Sequence, residues 1–316
     1  MARTDPPTTT APGLRFSRLD IALIALLAVL WGSAYVFIRE GLVLGAAPFP
    51  FAAVRYALSA AAFFAIAAGR GAPWPSRPAV IASAAIGGTL FIGLYGGLLY
   101  WGEQYTTGGY ASVLSATAPI LTVVVAYAIL PEERLSGLAL AGIATGFLGT
   151  VVLVVPELSG GTVGVWPGPA FVIGAFVCAA LSTVLLRRFG RGAQGLWQLG
   201  VQFAVGALLL GLATVALPFP RSLPLTVPVL GALGALVGLS SVGGYFVYFR
   251  LHHQVGPVRA NTIAYLLPLA GIGIGTGVFG EPLTIWEVAG FLIVVAGVTL
   301  VVRDRSRPAA EPARPT

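Results

Sequence analysis

The sequence predicts an all-α polytopic membrane protein with ten transmembrane helices, arranged as two inverted five-helix repeats. Three observations predict it: the composition suits a lipid environment, apolar runs of about 20 residues recur along the chain, and the two halves carry the same motifs. Of the 316 residues, 57% are hydrophobic and only 9% are charged, whereas soluble domains carry about a quarter charged residues. Such a chain cannot cover itself with a polar surface in water.

The apolar runs place the elements in chain order. They are continuously apolar rather than alternating, which favours helices over a barrel, and the first run is too long for the apolar region of a signal peptide. We expect residues 1–17 and 303–316 to be disordered cytoplasmic tails. The predicted spans are residues 19–38, 48–69, 79–101, 107–130, 137–155, 164–186, 195–217, 224–249, 257–279 and 283–302.

The arginines predict the orientation of these spans. With the N-terminus inside, fifteen of the 18 arginines fall in cytoplasmic segments and two, Arg39 and Arg221, fall in external loops. An excess of this size follows the positive-inside rule. Both termini are therefore predicted to be cytoplasmic, in a multi-pass protein of the bacterial plasma membrane.

A repeat relates the two halves of the chain. The stretch YASVLSATAPIL from Tyr110 returns 149 residues later as RANTIAYLLPLA from Arg259. The repeat predicts two five-helix units, residues 18–155 and 164–302. Because five is odd, the second unit must enter the membrane from the opposite side. Inverted repeats suit a protein that opens alternately to two compartments.

Paired motifs in the two halves resemble those of the EamA family in the drug/metabolite transporter superfamily. The residues that carry the resemblance are Trp31-Gly32-Ser33, Arg55-Tyr56, Ala111-Ser112 through Pro119, Glu133-Arg134-Leu135-Ser136, Ala260-Asn261 through Pro268, and Glu281-Pro282-Leu283-Thr284. The resemblance covers nearly the whole chain between the tails. It implies a ten-helix inverted-repeat carrier of the bacterial cytoplasmic membrane, often an exporter of amino acids, other metabolites or drugs.

The sequence lacks the residues that several other protein functions require. The chain has no lysine, so it cannot form a Walker phosphate loop. Its single cysteine, Cys178, excludes an intramolecular disulfide, and two histidines do not make a metal site. The arginines form no basic stripe of the kind that binds nucleic acid. We therefore expect no cofactor, no metal and no nucleic acid; the expected partners are a small-molecule substrate and the lipid bilayer.

Arg55 lies about 12 Å into the second predicted span, at 1.5 Å per residue. A charged side chain at that depth needs a partner. One interpretation is a bidentate clamp on a substrate carboxylate or phosphate. The other is a structural role, with the guanidinium bound by helix-end carbonyls or by Glu40. The resemblance favours this second role slightly, because it implies an arginine at this position across carriers of varied cargo.

Further candidates for a substrate-binding cavity are aromatic or hydroxyl and amide side chains within predicted spans. Asn261, Tyr265 and Pro268 share one helix face by their spacing. Pro119 matches Pro268, and both prolines are predicted to kink their helices. A purely structural kink is one alternative; the matched positions in the two repeats favour a role in gating. Tyr100, Trp101 and Tyr248 stand near span ends, where an interfacial position is more common. The remaining candidate binding residues are Trp31, Ser33, Tyr35, Tyr95, Ser182, Gln202 and Tyr245. For Ser33 and Ser182, hydrogen bonding between helices is an equal alternative.

Glycines mark one face of the fifth and tenth predicted helices, at positions 142, 149, 290 and 297. Small residues allow close helix contact. The two helices therefore pack on each other or form the seam of a homodimer.

The predicted function is secondary transport, with export of small amphipathic, amino-acid-like metabolites or drugs by alternating access. The alternatives are an intramembrane enzyme, for which no converging nucleophile and base are visible, and a non-transporting structural subunit. Proton antiport would need a carboxylate within the membrane. The acidic candidates all fall at or near span ends; they are Glu40, Glu103, Glu281 and Glu287. A facilitated carrier or exchanger is therefore favoured at least as much as a proton antiporter.

Overall fold

The computed structural model describes residues 18–75, 77–129, 137–158, 167–189, 195–255 and 266–303. Throughout these ranges the regular structure is helical, with no strand. The predicted Asn261 and Tyr265 and the charged turn around Glu133 lie outside the described residues.

The first half of the chain begins with two long helices and continues with two interrupted ones. Residues Gly88–Leu94 form a π-helical segment that joins α3 to α4, and Ser115–Thr117 form a 3₁₀ turn that joins α5 to α6. The helices of this half are α1 (Arg18–Val43), α2 (Pro48–Gly69), α3 (Pro78–Gly87), α4 (Tyr95–Gly102), α5 (Gly108–Leu114), α6 (Ala118–Ile129) and α7 (Gly137–Leu158).

The second half has a similar order of elements. A π-helical segment, Leu236–Gly243, again lies within its third long helical element. The helices are α8 (Pro167–Phe189), α9 (Leu196–Ala216), α10 (Val227–Ala235), α11 (Gly244–Val255), α12 (Leu267–Phe279) and α13 (Ile285–Arg303).

Seven helical segments of the described chain are long and apolar enough to cross a membrane. They are Ile21–Val43, Pro48–Gly69, Pro78–Gly102, Gly108–Ile129, Pro167–Leu186, Leu196–Ala216 and Val227–Tyr248. Three shorter apolar helical stretches accompany them: Leu140–Val152, Leu267–Phe279 and Ile285–Gly297. The chain is thus a multi-pass membrane protein.

Helix starts recur at a nearly constant interval. Helix α8 begins 149 residues after α1, α10 begins 149 residues after α3, and α12 begins 149 residues after α6. Proline stands in the first turn of α2, α3, α10 and α12, where its missing N–H costs no helical hydrogen bond. The similar sequence patterns of the two halves thus produce similar local structures.

Glycines allow α7 and α13 to pack closely on each other. A Cβ atom added to Gly149 would lie 2.7 Å from the backbone N of Val294, and one added to Gly297 would lie 2.6 Å from the carbonyl O of Gly142. No side chain fits in such a gap. Of the two roles left open for these glycines, the structure shows internal helix packing.

The main core cluster contains phenolic side chains as well as aliphatic ones. Tyr100 is fully buried, and Tyr35, Tyr56 and Tyr110 are nearly so. Buried phenols need hydrogen-bond partners. The core of this bundle therefore has a polar part, and it surrounds Arg55.

Candidate functional site

Arg55 is the centre of the buried polar site. It is the eighth residue of α2 and only 8% of its surface is exposed. Its Nη1 donates a hydrogen bond to the Tyr100 hydroxyl at 3.0 Å, and its Nη2 donates to the Ser240 hydroxyl at 3.1 Å. The guanidinium carbon lies 5.3 Å from the centre of the Tyr56 ring. The partners of Arg55 are thus hydroxyls and an aromatic ring rather than helix-end carbonyls or Glu40.

The guanidinium of Arg55 retains unused binding capacity. Its Nε is buried and has no hydrogen-bond partner among the described residues. Within the same part of the chain, no carboxylate lies close enough to form an ion pair with it. Hydroxyl ligands leave the positive charge uncompensated, and a buried cation of this kind attracts an anion.

Ser240 connects this arginine to the second half of the chain. It lies in the π-helical segment Leu236–Gly243, and its backbone carbonyl O accepts a hydrogen bond from the Trp31 indole Nε1 at 3.1 Å. π-Helical segments are frequent at functional sites. Ser240 of this segment therefore contacts both α1, through Trp31, and α2, through Arg55.

Tyr35 and Tyr95 form a second polar contact beside Arg55. Their hydroxyl oxygens lie 3.5 Å apart. Tyr95 is the first residue after the π-helical segment of the first half, and its ring packs edge-on against Phe176 of α8 at 5.7 Å. The predicted binding residues Tyr35 and Tyr95 are therefore brought together.

Tyr245 closes the aromatic side of the site. Its ring lies edge-on to Trp31, with ring centres 5.7 Å apart. It makes similar contacts with Phe63 at 6.0 Å and with Phe203 at 5.7 Å. Rings from α1, α2, α9 and α11 thus form an apolar wall on one side of a polar centre.

The contacts of the other predicted site residues do not involve Arg55. The Ser33 hydroxyl donates to the Leu30 carbonyl O of its own helix at 3.1 Å. Ser182 is buried in α8. The Gln202 side chain packs against Gly87, where an added Cβ would lie 3.1 Å from its Cδ. Their roles in binding stay predictions.

Each proline stands in the first turn of an α-helix, although α6 continues the helical span Gly108–Ile129 that begins with α5. Pro268 lies in the first turn of α12 and is buried. Pro119 is the second residue of α6, directly after the 3₁₀ turn Ser115–Thr117. The helical path therefore changes its hydrogen-bond pattern just before Pro119. Gating by either proline stays a prediction.

Tyr100 and Ser240 are site residues that the sequence reasoning missed. Tyr100 was expected in the interface because it stands near a span end, but it is completely buried and binds Arg55. The need of Arg55 for buried partners was a signal for hydroxyl groups on neighbouring spans. It did not identify which span would supply them.

The side chains of Arg39 and Glu281 tie the elements together at the end of the bundle where α1 ends and α5 begins. We call it the Glu281 end, defined by Arg39, Glu103 and Glu281. Nη1 of Arg39 donates to the backbone carbonyl oxygens of Glu103, at 2.8 Å, and Gln104, at 2.9 Å. The Glu281 carboxylate accepts hydrogen bonds from the backbone N–H groups of Gly108, at 2.9 Å, and Gly109, at 2.7 Å.

The Glu281 contact joins the two halves of the chain. Its carboxylate binds the first N–H groups of α5, which have no partner within the helix. The positive end of the helix dipole also favours a negative charge there. A segment of the second half thus holds a helix of the first half at this end.

A bundle of apolar helices around a buried arginine, tyrosines and serine defines a multi-pass membrane protein with a polar centre. Comparison with known proteins identifies its family. The model of the EamA-like transporter family matches residues 19–155 and again residues 166–303. The chain belongs to this family of transporters.

Relatives with transporter names match along almost the whole chain. An uncharacterized transporter of Archaeoglobus fulgidus is 28% identical, covering 90% of this chain and 98% of its own. The uncharacterized inner membrane transporter YedA of Escherichia coli K12 is also 28% identical, covering 95% and 96%. A probable terminal-alkyne amino-acid exporter of Streptantibioticus cattleyicolor is 29% identical, covering 95% and 100%.

A solved crystal structure has a similar fold. It superposes with a TM-score of 0.60 at 22% identity, covering 90% of this chain and 98% of its own. At that identity the similarity concerns the fold.

Proposed function

We propose that this EamA-family transporter is a secondary carrier that exports small amphipathic metabolites bearing a carboxylate, such as amino acids or similarly charged drugs. The observation that carries the proposal is Arg55, a buried guanidinium with two hydroxyl ligands and an Nε without an acceptor in the described chain. A substrate carboxylate would supply the missing negative charge. The rings of Trp31, Tyr245 and Phe203 would hold an apolar side chain.

The proposed architecture has ten membrane-crossing helices in two inverted halves. The support is the recurrence of helix starts at 149 residues and a π-helical segment at the same place in each half. We assign residues 18–155 to one half and 164–302 to the other, with both termini cytoplasmic. The arginine distribution supports this orientation, which makes the Glu281 end external.

Alternating access provides the mechanism. The site lies where both halves contribute, because Arg55 belongs to the first and Ser240 to the second. At the Glu281 end, Glu103 and Thr106 of the loop before α5 are buried, and Glu281 binds the first N–H groups of α5. This conformation is closed to the outside, and export requires those contacts to open after the substrate binds from the cytoplasm. The name of the Streptantibioticus relative supports export of an amino acid.

Transport into and out of proteoliposomes tests the proposal. The probes are a labelled apolar amino acid and its amide, which lacks the carboxylate. We expect the wild type to prefer the acid and Arg55→Gln to lose that preference, with a tenfold or greater rise in KM, because a charged hydrogen bond contributes about 1.5–3 kcal/mol. Arg55→Lys keeps the charge but not the planar donor pair, and should recover only part of the preference.

Arg221→Gln is the matched control. Arg221 is exposed and bonds the Val215 carbonyl O, so its removal lowers the positive charge without touching the site. It should transport like the wild type. An Arg55→Gln protein that folds and keeps the full preference for the acid would contradict the assignment of Arg55 to the substrate.

A further inference from the structure

Glu103 is a buried carboxyl group that the proposed transport cycle has not used. It follows the last residue of α4, one residue beyond the membrane-spanning segment Pro78–Gly102. Its position at a span end was predicted, but its burial was not: none of its surface is exposed. The side chain is therefore removed from water although it lies beside a loop.

The carboxyl oxygens of Glu103 lack ligands. Neither Oε1 nor Oε2 has a hydrogen-bond partner among the described residues. The hydroxyl of Thr106, three residues later, is also buried and without a partner in that part of the chain. By contrast, Glu287, another buried carboxyl of the described chain, accepts hydrogen bonds from the backbone N–H and the hydroxyl of Thr284.

The charged groups that surround Glu103 do not neutralise it directly. Arg39 of α1 donates to the backbone carbonyl of Glu103 rather than to its carboxyl group. Arg55 of α2 is bound to Tyr100 and Ser240. Glu281, from the segment before α13, adds a second negative charge. The remaining titratable neighbours are the phenols of Tyr35, Tyr56, Tyr95 and Tyr100.

An ionised carboxylate in this position would be unstable. Burial of a charge without hydrogen bonds is strongly unfavourable, and such a group takes up a proton instead. Burial raises the pKa of Glu103 well above its usual value, and the charge of Glu281 raises it further, whereas Arg39 and Arg55 offset part of the rise. In the closed conformation burial therefore favours the protonated form of Glu103.

We propose that Glu103 is a proton-binding site whose occupancy is linked to closure of the external end of the carrier. The inference rests on the proposed alternating access. When the Glu281 end opens, water reaches the carboxyl group, its O–H bond breaks and the proton passes to the external medium. When the end closes, a proton from that medium restores the O–H bond before the side chain is buried.

The sign of the pH dependence follows from this linkage. The closed state has the higher pKa, so protonation favours closure. The contribution to closure is complete below the pKa of the exposed group, about 4.3 for glutamate, and is lost as the pH rises through the higher pKa of the closed state. External acid therefore closes the carrier, and external alkali opens it.

Infrared spectroscopy of the protein in lipid nanodiscs tests the protonation directly. A protonated carboxylic acid has a carbonyl stretch that a carboxylate lacks. At neutral pH we expect this band in the wild type and in Glu40→Gln, which removes a half-buried glutamate at the same end, and its loss in Glu103→Gln. Glu287→Gln shows how much of the band comes from the Glu287 carboxyl group. If Glu103→Gln fails to fold, Glu103→Asp should shift the band instead.

Labelling from outside tests the link to closure. Gln104→Cys is made in a Cys178→Ser background, and the rate at which its thiol reacts with an impermeant thiol reagent is measured at each pH. Ser222→Cys, at an exposed residue, is made in the same background, and its reaction rate is used to normalise the first. The normalised rate should rise severalfold with pH, and Glu103→Gln should hold it low throughout. Glu40→Gln should keep the pH dependence.

The outcomes separate the two proposals. A carbonyl band that keeps its wild-type intensity in Glu103→Gln, or a pH-dependent labelling that survives there, overturns the role of Glu103. Neither result changes what the Arg55 transport assay measures. Absence of transport in that assay, with the band and the labelling behaving as expected, would overturn the carrier function and retain the proton-binding site.

Discussion

The guanidinium of Arg55 in α2 is bound to the phenol of Tyr100 in α4, with 3.0 Å between Nη1 and the hydroxyl oxygen. Both side chains are buried. A buried cation is thus held by a neutral acceptor, which fixes its position and leaves its charge available. This relationship supports a binding role for Arg55 more than a structural one.

Tyr100→Phe removes this acceptor and leaves Nη1 buried without a partner. We expect the free energy of unfolding to fall by about 1.5–3 kcal/mol, the range for hydrogen bonds to charged groups. Thermal unfolding in detergent measures the change. Tyr127→Phe, at an exposed tyrosine, is the control and should unfold like the wild type; equal stability of both variants would show that the Tyr100 contact contributes nothing.

Gly149→Ala should separate α7 from α13. Its Cβ would lie 2.7 Å from the Val294 backbone N and 3.0 Å from the Gly290 carbonyl O, so the helices must move apart at a cost of about 1–3 kcal/mol. Gly273→Ala in α12 meets nothing within 4 Å and should be neutral or stabilising, by up to about 1 kcal/mol, through helix propensity. In the same unfolding assay, Gly149→Ala should therefore be less stable than the wild type and Gly273→Ala should not.

Glu281→Gln should weaken the contact between the halves at the Glu281 end. A neutral amide keeps one acceptor for Gly108 or Gly109 but loses the charge that favours the helix N-terminus, a loss of about 0.3–2 kcal/mol. We expect faster hydrogen exchange of the α5 amides, measured by mass spectrometry. Glu40→Gln is the control; unchanged exchange in α5 for both variants would contradict the proposed closure.

The all-helical fold and its membrane character could be predicted from the sequence because they depend on composition and on the length of apolar runs. The predicted limits of the second helix, residues 48–69, match α2, because Pro48 starts this helix and the Gly69-Arg70-Gly71 stretch ends it. The π-helical segments could not be predicted, since they depend on hydrogen-bond register rather than on residue type.

The candidate site was only partly accessible from the sequence. Arg55 stood out because a charge within an apolar span is rare, and Trp31, Tyr35, Tyr95 and Tyr245 do surround or adjoin it. Tyr100 was misjudged because its distance from a span end was used as a measure of exposure, and the burial of Glu103, whose place at a span end was predicted, was not predicted at all. Packing of neighbouring helices and loops buries both residues, and that depends on tertiary contacts.

The central claim is that the Arg55 site opens alternately to both sides of the membrane. Cysteine labelling at Ser240, in the Cys178→Ser background, measures this most directly in right-side-out and inside-out vesicles. We predict that an impermeant thiol reagent reaches Ser240→Cys from either side, and that a transported amino acid slows both reactions. Labelling from one side alone, or from neither, would contradict the account.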